Sequence, residues 1–270
     1  MTVDLEAYAA RIQYHGSFAP TLDTFRNLHL AHATHIPFEN LDVLLRRPIH
    51  LDLESLWTKL VKAGRGGYCF EHNTLFAAVL ESVGFSVVRF AARVRMGASS
   101  VRPRTHMILA VGIDNETWLA DVGFGSEGLL YPVRLQPDLE VAQFAWRYRV
   151  ITENGICVLQ CWRPEGWLDM YAFTLDPQYP IDYEVANYFT STHPDSPFVH
   201  TLIAQRPAEY VRLTLLNRKL IERRPESTSE LVLPDDDAVL DVLSNRFGLH
   251  FPRGTCFPHE ESILSVQATR

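Results

Sequence analysis

The sequence predicts an α+β protein in which helices come first, short antiparallel strands follow, and a mixed tail closes the chain. Two observations carry this expectation. Apolar residues keep helical spacing through the first third, and from Phe85 onward they give way to short β-branched and aromatic runs bounded by turn residues. Helices followed by strands, rather than alternating with them, indicate α+β and not a doubly wound sheet.

Each element has a local reason. Leu5, Tyr8, Ala9 and Ile12 form the first helical stripe, with Gly16 as its expected stop. Thr21 caps a second helix carrying Leu22, Phe25 and Leu28, and Pro37 ends it because proline lacks an N–H and disfavours a helical residue before it. Asp52 caps a third segment with Leu53, Leu56, Trp57, Leu60 and Val61 on one face. After the break at Gly64-Arg65-Gly66-Gly67, a fourth helix runs from about Cys69 to Val83, with Gly84 as its C′ residue. Strands are expected at 85–96, 105–113, 117–122, 146–152, 156–162 and 170–175, a succession that suits an antiparallel sheet or small barrel. Pro177 and Pro180 break the pattern before a short helix at 183–189. The tail mixes strand (210–216, 229–233) with helix (236–247).

Composition narrows the function classes. A chain of 270 residues suits two or three modules around a shared core. Its 47% hydrophobic and 21% charged residues exclude a disordered chain. The net charge of −7 argues against a nucleic-acid binder, which normally presents a basic face. The first residues lack a basic and then apolar leader, and no run approaches the roughly 20 apolar residues that span a bilayer. A cytoplasmic protein is expected, with its four cysteines (Cys69, Cys157, Cys161 and Cys256) as reduced thiols rather than a disulfide scaffold.

The segment Arg65-Gly66-Gly67-Tyr68-Cys69-Phe70-Glu71-His72-Asn73 carries the most chemistry. Its glycines allow a tight path, after which Cys69 sits at a helix N-terminus, where unpaired N–H groups and the helix dipole favour a thiolate. The plain alternative is a buried, inert cysteine. A thiolate nucleophile needs a base, and the base an orienting group. If Asp114-Asn115 forms a two-residue hairpin turn, His106 on one strand stands opposite Gly123, and Asp121 becomes its diagonal neighbour on the same face. A turn one residue longer would put them on opposite faces. His72, three residues after Cys69, competes as the base but has no evident carboxylate partner, so geometry favours His106.

Other motifs fall away. Gly123-Phe124-Gly125-Ser126-Glu127-Gly128 matches G-x-G-x-x-G, but no helix follows and no acid stands at the ribose distance. The turn can still offer N–H groups to a phosphate, or simply be tight. His29, His32 and His35 spread around their helix, Cys157 and Cys161 have no second pair, and no metal site is expected. Walker and G-x-S-x-G motifs are missing.

Taken together, Ile36-Pro37-Phe38-Glu39-Asn40-Leu41, Arg65 to Glu71, Thr105-His106-Met107, Asp121 to Gly125 and Ser191 to Phe198 resemble the bacterial arylamine N-acetyltransferases in order and spacing. The resemblance implies an N-terminal helical bundle (1–84) carrying the nucleophile, a central antiparallel β-barrel (85–185) and an interdomain segment with an α/β lid (186–270). It implies a papain-like Cys-His-Asp triad on Cys69, His106 and Asp121, and a structural Glu39–Arg65 pair. Acetyl-coenzyme A would be the donor, and an aromatic amine, hydrazine or hydroxylamine the acceptor. Phe38, Thr105 and Phe124 would line the acceptor pocket, with Gly125, Ser126 and Gly128 near the coenzyme's phosphates. The expected assembly is a monomer or homodimer. Two rivals use the same residues differently: a cysteine hydrolase or amide synthase with another acyl donor, and a silent binding module whose cysteine is inert.

Overall fold

The computed structural model describes residues 2–125 and 127–258. α1 (Leu5–Ile12) starts at Asp4, whose carboxylate accepts the Glu6 and Ala7 N–H groups. It ends at Gln13 rather than Gly16, because the left-handed Gln13 turns its N–H back onto the Ala9 and Ala10 carbonyls. α2 (Leu22–His35) is capped by Thr21 as expected. A two-residue strand β1 (Phe38–Glu39) and a short helix α3 (Leu41–Leu44) follow. Asp52 caps α4 (Leu53–Leu56), which widens into a π-helical turn over Trp57–Lys62. α5 (Cys69–Val83) closes on Gly84 at φ 109°, a conformation that suits glycine. Tyr8, Ile12, Phe25, Leu28, Leu60, Phe76 and Leu80 from these helices share one buried core with Met107, Leu109 and Val111.

Those last three residues are one face of β3 (His106–Ile113). It belongs to an eight-stranded antiparallel sheet with β2 (Ser86–Val94), β4 (Glu116–Ala120), β5 (Val133–Arg134), β6 (Val141–Gln143), β7 (Trp146–Glu153), β8 (Ile156–Arg163) and β9 (Gly166–Phe173), in the order β5-β4-β3-β2-β9-β8-β7-β6. The sheet curls into a nearly closed barrel around Phe90, Ile108, Ala110, Tyr148, Leu159 and Tyr171. Period-2 alternation therefore sends Met107 and Leu109 toward α5, and Ile108 and Ala110 into the barrel. The β3–β4 turn is the two-residue Asp114-Asn115, both at positive φ, and Ile113 pairs with Glu116 and Leu109 with Ala120.

α6 (Pro180–Thr192) is longer at both ends than the sequence indicated, since Pro180 occupies its first turn, where the missing N–H costs nothing. The remaining elements are β10 (Ile203–Pro207), β11 (Arg212–Leu216), β12 (Lys219–Arg224), β13 (Ser227–Val232) and α7 (Asp236–Val242), which continues as a π-helical turn through Phe247. They build a second sheet, β1-β10-β11-β12-β13, over a third core of Leu202, Leu213, Leu215, Leu240 and Phe247. β1 enters from the helical part by pairing Phe38 with Gln205 and Glu39 with Ala204.

The bend around β1 is held by a buried ion pair. Arg65 donates to Glu39 Oε1 through Nη2 (2.7 Å) and Nε (3.0 Å), while Glu39 Oε2 accepts the Leu41 N–H at 2.7 Å. Arg65→Ala strands the fully buried Glu39 charge and is expected to cost about 3 kcal/mol in urea unfolding. The double variant Glu39→Leu/Arg65→Met removes both charges and is expected to recover most of that loss. Equal destabilisation in the two variants contradicts this account.

Candidate functional site

The site begins where the chain enters α5. Gly66 and Gly67 have no room for side chains: a Cβ on Gly66 would lie 2.0 Å from the Pro37 carbonyl oxygen, and one on Gly67 2.6 Å from Glu71 Oε2. The Glu71 carboxylate accepts the Tyr68 N–H at 3.0 Å and is itself held by Lys59 Nζ at 2.7 Å. This fixes the first turn and sets Cys69 at the first helical position. Gly123 packs against that turn, where an added Cβ would come within 2.7 Å of Cys69 Cα.

The hairpin delivers the partners. With the two-residue turn in place, His106 and Asp121 share a face, and His106 Nε2 lies 2.7 Å from Asp121 Oδ2. Nε2 is therefore committed to the carboxylate, which leaves Nδ1 as the ring nitrogen available to the Cys69 sulfur, and that sulfur acts on the ring electrostatically. The Cys69 sulfur also lies 3.5 Å from the Thr105 carbonyl oxygen. Burial alone would lower the His106 pKa, but the Asp121 charge, its hydrogen bond and the Cys69 sulfur outweigh burial and raise it to about 10. Asp121 answers in the opposite sense: burial pushes it up, His106 pulls it below the ordinary carboxylate value, and the pull wins. The ring is wedged between Phe124 and Tyr171 at centroid distances of 5.2 and 5.0 Å.

His72 is fully engaged elsewhere. Its Nε2 donates to the Pro37 carbonyl at 3.2 Å, its Nδ1 accepts from His32 Nε2 at 2.9 Å, and Tyr8 donates to His32 Nδ1 at 2.7 Å. Every member of this chain is neutral, and burial lowers the His72 pKa to about 4. His72 anchors the bend next to Phe38 and does not face Cys69. The other helix histidines are equally occupied: His29 bridges the Leu130 carbonyl and the Asp121 N–H, and His35 Nδ1 meets the Ala31 carbonyl.

Asn73 escaped the sequence reading although it stands one turn after Cys69. Its amide donates to the Met107 carbonyl (2.7 Å) and Asp121 Oδ1 (3.0 Å), and its oxygen accepts the Val122 N–H (3.1 Å). The helical spacing of Cys69 and Asn73 was the available signal, but only the strand packing reveals what Asn73 reaches.

Cys69 and His106 open onto a cleft of about 620 Å³. Phe38, Thr105 and Phe124 line it, as do Phe189 and Phe198, which the sequence did not single out. Of the turn expected near phosphates, Glu127 lines the cleft, and its carboxylate is held by Arg223 (2.6 Å) and Arg163 (2.9 Å). Gly125 and Gly128 close the turn on each other, with the Gly128 N–H on the Gly125 carbonyl at 2.9 Å and the Gly128 carbonyl taken by Arg212 and Tyr148. Ser126 lies outside the described residues. Among the described residues no cluster of metal-binding side chains occurs, and no helix is long and apolar enough to cross a membrane.

A thiol backed by an imidazole and a carboxylate, at the floor of an aromatic cleft, can take an acyl group onto sulfur and pass it on. Fold and site are thus chemically competent for acyl transfer. Comparison with known proteins narrows the class: the N-acetyltransferase family model matches residues 21–255. An Escherichia coli arylamine N-acetyltransferase is 41% identical over 252 residues, covering 92% of this chain and 90% of its own. A Salmonella typhimurium arylamine N-acetyltransferase / N-hydroxyarylamine O-acetyltransferase is 39% identical with the same coverage. The crystal structure of the Nocardia farcinica arylamine N-acetyltransferase superposes with a TM-score of 0.88 at 43% identity, covering 93% of this chain and 90% of that one. The Mycobacterium marinum enzyme in complex with CoA gives 0.87 at 38%, covering 91% and 92%. The chain belongs to the arylamine N-acetyltransferase family.

The buried histidines set a pH limit. His29 and His72 have folded pKa values near 4, below the ordinary 6.5, so the unfolded chain takes up their protons first as pH falls. Their contribution is intact above pH 6.5 and is lost between 6.5 and 4. Urea midpoints are expected to fall across that window, and a flat profile there contradicts neutral, buried rings.

Proposed function

We propose that the protein transfers an acetyl group from acetyl-coenzyme A to an aromatic amine, hydrazine or hydroxylamine by a ping-pong route through an acetyl-Cys69 thioester. The arrangement of the Cys69 thiol, the His106 imidazole and the Asp121 carboxylate at the cleft is the observation that carries this reading. In the resting site Cys69 and His106 form a thiolate–imidazolium pair, with Asp121 holding Nε2. The thiolate attacks the thioester carbonyl, the carbon–sulfur bond to coenzyme A breaks, and His106 gives its proton to the departing thiolate. The acceptor nitrogen then attacks acetyl-Cys69. His106 removes its proton and Cys69 leaves as a thiolate, which restores the pair. N–H groups of the first turn of α5 have no intrahelical acceptor and are the proposed oxyanion donors, each worth about 3 kcal/mol when aligned.

The aromatic lining by Phe38, Phe124 and Phe198 supports a flat aromatic acceptor, with Thr105 beside the sulfur. The relative in complex with CoA supports coenzyme A as the leaving group. The coenzyme's phosphates are proposed to lie near the Gly125–Gly128 turn. A division at 1–84, 85–185 and 186–270 is proposed from the order helices, barrel sheet and second sheet along the chain, although the first core also takes in Met107, Leu109 and Val111 of the barrel and the third takes in Leu41 and Leu44. The free cysteines fit a reducing cytoplasm, and the working unit is proposed as a monomer or homodimer.

Intact mass after mixing with acetyl-coenzyme A alone is expected to show one acetyl group on Cys69, removed when an aniline or hydrazine is added. Intersecting double-reciprocal lines with no acetylated Cys69 contradict the covalent step. Asp121→Asn is expected to lower kcat/KM by about 10³–10⁴, as the carboxylate-to-amide change does in a serine triad. His106→Ala is expected to abolish fast iodoacetamide alkylation at mildly acidic pH. His72→Ala is expected to keep it, and its loss there transfers the base to His72.

A further inference from the structure

Asp121 is constrained at three points, and two of them concern its carboxylate: Oδ2 meets His106 Nε2, while Oδ1 accepts from Asn73 Nδ2 and the Gly123 N–H. The third is its backbone. The Asp121 N–H donates to His29 Nε2 at 3.2 Å, and the opposite ring nitrogen, Nδ1, donates to the Leu130 carbonyl at 3.0 Å. A peptide N–H only donates and a carbonyl only accepts, so the two partners fix one neutral tautomer. The ring has no solvent exposure and stands edge-on to Phe76 at 5.7 Å. Burial lowers its pKa to about 4, which keeps Nε2 free to accept, and Asp121 and His32 are the titratable neighbours that act on it electrostatically.

Asp121 and Leu130 are the two ends of the loop whose Gly123, Phe124 and Glu127 line the cleft. One imidazole from the middle of α2 therefore ties both ends of that loop and anchors the main chain from which the Asp121 carboxylate reaches His106. We propose that His29 is a positioning residue for the acyl-transfer site: by accepting the Asp121 N–H it holds the Asp121 carboxylate in register with His106 Nε2. The proposal rests on the acyl-transfer reading of Cys69, His106 and Asp121. It gives one of the two buried histidines of the His29/His32/His35 run a role in the reaction without contact with substrate. A core filler of the same shape would have no need of both hydrogen bonds.

Three substitutions separate these roles. His29→Gln keeps an amide oxygen at about the reach of Nε2 and can still accept the Asp121 N–H. His29→Asn keeps only a donor near Nδ1 for Leu130. His29→Phe fills the space and keeps neither. In each, iodoacetamide alkylation of Cys69 is followed against pH, together with kcat and acceptor KM for acetyl transfer and the thermal midpoint. Expected is a loss of about tenfold to a hundredfold in kcat and in alkylation rate at mildly acidic pH for His29→Phe and His29→Asn, with acceptor KM unchanged. His29→Gln is expected to stay within about threefold of the parent protein, the latitude left by an imperfect mimic. Equal behaviour of the Gln and Asn variants, or a lowered thermal midpoint with an unchanged alkylation profile, overturns the proposal and leaves His29 a packing residue. Slow alkylation in the parent protein instead overturns the acyl-transfer reading itself.

Discussion

The 2.7 Å contact between His106 Nε2 and Asp121 Oδ2 is the constraint on which the site depends. It decides which ring nitrogen faces the sulfur, and it outweighs a burial cost that would otherwise leave the imidazole neutral. Both groups are almost wholly removed from water, so neither charge would be tolerable alone. The pair is stable because each neutralises the other and because Asn73, Gly123 and His29 satisfy what remains of Asp121.

That contact is assembled by three parts of the fold at once. The β3–β4 hairpin sets the register, α5 brings the thiol and Asn73, and α2 holds the Asp121 backbone through His29. The same elements form one continuous core, so a helix shift would be felt at the site. The second sheet contributes from outside: Arg212 reaches the Gly128 carbonyl, and Arg223 holds Glu127 on the cleft wall. The charge logic also suits a two-step transfer. On the proposed route the sulfur's charge raises the His106 pKa before attack, and attack removes that charge as the leaving group comes to need the proton.

Much of this was legible in the sequence because it is local or periodic. The caps at Thr21, Asp52 and Gly84, the start of α5 at Cys69 and the six longer strands of the eight-stranded sheet follow from short-range rules. The His106–Asp121 pairing was legible because a two-residue turn at Asp114-Asn115 fixes parity over the whole hairpin. What escaped is long-range. β1, β10 and β12 are short or charged and become strands only by pairing, β1 with a segment far along the chain. Gln13 ends α1 by a hydrogen-bond closure that spacing does not announce. The roles of Asn73 and His29 lie in partners dozens of residues away, and Phe189 near the end of α6 and Phe198 just beyond it line a cleft whose other walls come from distant segments.

The most direct measurement is ¹⁵N NMR of the His106 ring in the unacylated protein near neutral pH. The account predicts that both ring nitrogens carry protons there, and that one proton is lost only near pH 10. A spectrum showing one bare nitrogen at pH 7, typical of a neutral imidazole, would contradict a thiolate–imidazolium resting state held by Asp121.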